Sequence, residues 1–161
     1  MLIFIFGDPQ IPSSRQKKIA VNKIKELRKI KGYLSLDVVL IPGDLTETGS
    51  DNNSFNNLYY DISNYFSCLG AIAPRNELSQ FKEIVYNPLD TLFKEIYLCH
   101  GNHDEYIFPY KPALKFIKEK HGNLNYRRRL KENIVLINLG KVYSKQNRKF
   151  LKETLKKNKQ S

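Results

Sequence analysis

Three short apolar runs, each closed by a polar turn carrying glycine, constrain this chain more than any other feature. Residues 1–6 read MLIFIF and stop at Gly7-Asp8-Pro9-Gln10. Asp37-Val38-Val39-Leu40-Ile41-Pro42 stops at Gly43-Asp44, and Ile96-Tyr97-Leu98-Cys99 stops at His100-Gly101-Asn102-His103-Asp104. Short continuous apolar runs bounded by turn signals have the pattern of buried strands. Between the first two, Ile19, Ala20, Ile24, Leu27 and Ile30 recur at helical spacing, with Ser13 or Ser14 placed to cap the helix and Gly32 to stop it. Strand, helix and strand within so short a stretch make a βαβ unit. The fold class is therefore α/β, with a sheet that is at least partly parallel.

Residues 49–76 differ from the rest: they are rich in Asn and Ser, poor in charge, and carry Phe55, Tyr59, Tyr60, Tyr65 and Phe66. A helix is expected at 55–67 and a loop at 70–74, so that 49–86 forms an insert. Its aromatic residues either pack on the sheet or cap the cleft. Asn87-Pro88 predicts a cap and first-turn proline opening a helix that runs to about residue 94. A short amphipathic helix at 113–120, strands at 125–128 and 133–138, and a helix at 144–157 complete the chain. The last helix is expected to turn Phe150, Leu151 and Leu155 to one face. No repeat or linker divides the 161 residues, so 1–161 is expected to be one domain.

Composition excludes several classes. No apolar run approaches the roughly 20 residues a membrane helix needs. The N-terminal run lacks a basic start and a cleavage site, so it does not read as a signal peptide. Cys68 and Cys99 make no CxxC pair, which excludes a disulfide scaffold and fits a reducing, cytoplasmic setting. The net charge of +11 points toward anionic partners. Yet Lys17, Lys23, Lys25, Lys29 and Lys31 are dispersed along one helix, so most of this charge is expected to be solvated helix face. Arg127-Arg128-Arg129 is expected as a hairpin strand with alternate arginines in solvent, with a grip on phosphate as the alternative.

The chemistry gathers at the strand-end turns. In open α/β sheets, ligands bind at the carboxyl ends of the strands, and glycine there lets the backbone turn sharply. Carboxylates with an amide oxygen and imidazole suit Mn, Fe or Zn. Two such ions clamp a phosphoryl group and generate hydroxide from water.

Together, in order and all after strands, these turns resemble those of the calcineurin-like metallophosphoesterases, over residues 4 to about 157. Asp8 matches the first acid of that family's Asp-x-His turn, Asp44 its Gly-Asp element, and Asn102-His103-Asp104 its Gly-Asn-His-Asp/Glu element. The resemblance implies a sheet sandwich with helices outside. It also implies hydrolysis of a phosphomonoester, phosphodiester or phosphoprotein by hydroxide bound between two divalent metals. Asp8 would bind one metal, Asp44 both and Asn102 the second; His103 would protonate the leaving oxygen, and Asp104 would help to hold His103. Gln10 stands where most of the family has His. Its side-chain oxygen still ligates a hard cation, which favours Mn.

The family's three later histidines, two of them in a Gly-His-x-His turn, have no counterpart here. The remaining histidines are His100, expected to be structural, and His121, expected to end a helix as an imidazolium favoured by the dipole. These departures imply the N-terminal portion of such a domain, C-terminally incomplete. Such a chain is expected to bind metal weakly, hydrolyse poorly and self-associate through an uncovered edge or face of its sheet. The alternatives are a catalytically inactive, phosphoesterase-like binding module and a basic nucleic-acid-binding protein.

Overall fold

A computed structural model describes residues 1–7, 9, 14–46, 77–105, 112–139 and 144–159. In it the three apolar runs become parallel strands β1 (Ile3–Ile5), β2 (Val38–Ile41) and β3 (Glu95–Leu98), in the order β1-β2-β3. Ile3 lies opposite Val38, and Val38 opposite Glu95. α1 (Ser14–Lys31) makes the crossover from β1 to β2. α2 (Glu77–Phe81), a π-helical turn (Lys82–Tyr86) and α3 (Asn87–Asp90) lead into β3. Beyond it come α4 (Pro112–His121), an antiparallel hairpin of β4 (Tyr126–Lys131) and β5 (Ile134–Asn138), and α5 (Lys145–Lys159).

Alternation along the strands sends side chains to two cores. Val39, Ile41, Ile96 and Leu98 pack against Ala20 and Ile24 of α1 and against Leu78, Phe81, Val85 and Leu89 of the second helical segment. Each large aliphatic or aromatic side chain buried there contributes roughly 1.5–3 kcal/mol. On the opposite face, Val38 and Tyr97 meet Tyr126 of the hairpin. Sheet, helices and hairpin therefore form the mixed α/β architecture expected, and they leave the carboxyl ends of β2 and β3 side by side.

Three expectations are corrected. β1 is not buried on both faces: Phe4 packs against the helix-side core, but Ile3 and Ile5 are exposed, Ile5 at 72%. β1 is an edge strand of the sheet among the described residues, as β3 is on the other side, and the hairpin's cluster includes no β1 residue. Two of the five residues of the α1 stripe are likewise uncovered: Ile19 and Ile30 are exposed and line a groove of about 460 Å³ together with Phe4, Ile5 and Phe6.

Second, α3 does start at Asn87 with Pro88 in its first turn, but Asn87 is not its cap and it ends at Asp90 rather than about residue 94. Helical backbone already runs in from Glu77, with the Asn87 N–H bonding the Lys82 carbonyl. A proline inside a helix clashes with the carbonyl four residues earlier, and the wider π turn just ahead of Pro88 relieves that clash. Third, α5 buries Asn147 and Thr154 rather than its apolar set; Leu155 is 48% exposed. No helix among the described residues is long and apolar enough to cross a membrane. The expected helix at 55–67, the loop at 70–74 and Cys68 lie outside the described residues.

Candidate active site at the strand ends

β2 and β3 end next to each other, and the turns that follow are pressed together at their glycines. Gly43 has φ +122°, and a Cβ there would lie 2.9 Å from the Gly101 nitrogen. A Cβ on Gly101 would lie 1.8 Å from Oδ1 of Asp44. Any larger residue at 101 displaces the carboxylate. Asp44 itself sits at φ 44°, a left-handed conformation that Asp tolerates better than most residues.

The two turns are tied by carboxylates running in opposite directions. Asp44 Oδ1 accepts the His103 N–H at 3.0 Å, holding the start of a 3₁₀ turn (His103–Glu105). Asp104, in that turn, reaches back across the gap. Its Oδ1 accepts the Thr46 N–H at 3.0 Å and the Thr46 hydroxyl at 2.8 Å. Its Oδ2 accepts the Leu45 N–H at 3.2 Å and the Gly101 N–H at 3.0 Å. Asp104 and Thr46 are fully buried. Burial pushes the Asp104 carboxyl up, and the donors from Gly101, Thr46 and Leu45 pull against that. With no surface, Asp104 does not touch a ligand; it fixes the turn that carries His103.

The side chains left facing solvent are those with chemistry to offer: Asp44 and His103 are half-buried and Asn102 is exposed. Asp8 and Gln10 lie outside the described residues. Among the described residues no group of three His, Cys, Asp or Glu side chains gathers closely enough to hold a metal. Asp44 and Asn102 are nonetheless oxygen donors of the kind that hard divalent ions take. The donor chemistry fits such an ion, although these two alone do not complete its coordination.

The other histidines stand elsewhere. His100 is buried. His121 does end α4, but not as an imidazolium. Its Nε2 accepts the Leu98 N–H at 3.1 Å, and its ring stacks 4.5 Å from Tyr126 and 5.8 Å from Tyr97. Burial, then the charges of Arg128 and Lys120, hold its pKa down to about 4. Lys118 and Lys120 supply the charge in its last turn, and the Arg128 guanidinium donates to the His121 carbonyl at 3.2 Å. Its acceptor nitrogen being used, His121 is no ligand. Cys99 is a free thiol, pushed up by burial and donating to Asn138 Oδ1.

Sequence reasoning missed Thr46. Its only signal was a hydroxyl residue placed two after the acid of the second turn.

Against known proteins, the model of the calcineurin-like phosphoesterase family matches residues 1–159. No curated protein and no solved structure matches the chain.

Proposed function

Because the chain belongs to the calcineurin-like phosphoesterases, a family that acts on phosphoesters, we propose that it hydrolyses a phosphomonoester or phosphodiester at the strand-end turns with divalent metal ions, Mn foremost. The observation that carries this is the paired brace: Asp44 onto the His103 N–H, and Asp104 onto Leu45, Thr46 and Gly101. Two turns tied this way present Asp44, Asn102 and His103 at adjacent strand ends without reorganisation, which is how a preorganised polar site gains its advantage.

Asp44 and Asn102, with Asp8 and Gln10, would hold the ions. Bound divalent ions supply Lewis-acid polarisation of the phosphoryl group and lower the pKa of water. The chain's own residues do the rest. Contact with Gly101 keeps the Asp44 carboxylate in one orientation. The His103 imidazole starts from a backbone that Asp44 holds, and it gives a proton to the leaving oxygen. General acid help of this kind is worth roughly 10²–10⁴-fold. We take residues 1–161 as one phosphoesterase domain with 49–86 as an insert, acting in a reducing cytoplasm that suits the free Cys99 thiol.

The test is turnover of 4-nitrophenyl phosphate and its bis-ester by the purified chain with Mn, Fe or Zn, against Asp44→Asn. Mn-dependent turnover that the variant loses supports the proposal. Phosphate binding without turnover under any metal overturns it in favour of a binding module.

A further inference from the structure

α5 carries its charge on one side. Lys145, Lys149, Lys152 and Lys156 follow each other at steps of four, three and four residues, the spacing that stacks side chains on one helix face. Arg148 flanks them, and all five are exposed. Asn147 and Thr154, the buried residues of α5, lie about 180° round the helix from this ridge. Between the long stems runs a shallow trough of about 500 Å³, lined by the five cations and Glu153. Glu153 reaches Lys149, at 4.0 Å. These cations are solvated, as most of the charge was expected to be, but on α5 they are gathered on one face rather than dispersed.

This arrangement works against its own helix. Like charges at three- and four-residue spacing repel. The first turn, Lys145-Gln146-Asn147, sets a cation where the helix dipole favours an anion. An anionic partner laid along the ridge relieves that repulsion. From Lys145 to Lys156 the ridge is about 16 Å long at roughly 1.5 Å per residue. One strand of a duplex presents a phosphate about every 3.4 Å of axis, so the ridge spans about five.

The ridge stands clear of the rest of the protein: Asn125, just before β4, hydrogen-bonds Asn147 on the opposite side of α5. A membrane fits less well, because Phe150 and Leu151 are half-buried against the protein, which leaves Leu155 alone of the α5 apolar set exposed to insert.

We infer that the lysine ridge of α5 is a docking surface for the phosphate backbone of a nucleic acid. The surface reads charge, not sequence, and it does not depend on the phosphoesterase proposal. The test is fluorescence anisotropy of a labelled DNA duplex with the full chain in EDTA, which removes metal and so separates binding from hydrolysis. Salt is varied upward from about 50 mM. Lys149→Glu/Lys152→Glu is compared with Lys18→Glu/Lys25→Glu, an equal charge change at exposed positions of α1.

The ridge variant should weaken binding at least tenfold and flatten the log–log salt slope by about 1.8, since each phosphate contact contributes about 0.9. The α1 variant should do neither. Lys149→Gln/Lys152→Gln should fall between wild type and the charge reversal. Equal loss in the ridge and α1 reversals overturns the inference, because net charge alone then explains binding. So does a wild-type chain that leaves the duplex free, or a ridge reversal that loses only binding to phosphatidylserine vesicles.

Discussion

Asp104→Ala is the sharpest perturbation of this molecule, because it removes one group on which both turns depend. The substitution strips the acceptor from the N–H groups of Leu45, Thr46 and Gly101 and from the Thr46 hydroxyl. Each buried donor left without a partner costs about 1–3 kcal/mol. The four do not add, because water enters the space vacated and the burial cost of a carboxylate already pushed up is returned. The loss expected is about 3–5 kcal/mol, between the cost of one orphaned donor and the sum of four.

Asp104→Asn keeps one acceptor oxygen. If that oxygen serves Leu45 and Gly101, the new amide faces the Thr46 N–H; its loss should be about 1–3 kcal/mol. Urea unfolding followed by circular dichroism reads both variants, and the order wild type, Asn, Ala in midpoint is the expected outcome. A domain of this size holds about 5–15 kcal/mol, so the Asn variant folds even where Ala is marginal. An Ala loss below about 1 kcal/mol would refute the cross-brace, since no single orphaned donor comes cheaper.

Gly101→Ala should displace the Asp44 carboxylate, which stands 1.8 Å from the new Cβ; overpacking should cost about 1–3 kcal/mol and Mn affinity by calorimetry should fall. Unchanged Mn affinity would count against Asp44 as a ligand. His103→Asn should slow hydrolysis of alkyl phosphates by roughly 10²–10⁴-fold and of aryl phosphates much less, because good leaving groups need less protonation; equal losses would remove the general-acid role. Because His121 is held down to about 4 when folded, the unfolded chain takes up that proton first. Stability present above pH 6.5 should therefore drain away as pH falls from 6.5 to about 4. His121→Gln, whose carbonyl can still accept the Leu98 N–H, should lose that slope in urea midpoints taken across the range.

Local pattern determined the strands, the crossover helix and the chemistry-bearing turns, because each is written in neighbouring residues. An apolar run ending in Gly-Asp needs no distant partner to be recognised, and helical spacing in α1 is visible within its own length. Family membership followed from the same turns. Which faces were covered was not local. Ile3 and Ile5 read as core yet stand exposed, because burial depends on what another segment lays over them. His121 looked like a cationic helix end; the tyrosines from β3 and β4 and the Leu98 N–H, brought from elsewhere in the chain, made it a neutral core acceptor. The spacing of the α5 lysines is in the sequence, but that their face is the exposed one was decided when Asn147 and Thr154 took the buried side. Asp104 shows the division most plainly. Its place in Gly-Asn-His-Asp was legible from the chain, but its four donors lie on two turns, one of them 58 residues away, and only folding could bring them to one carboxylate.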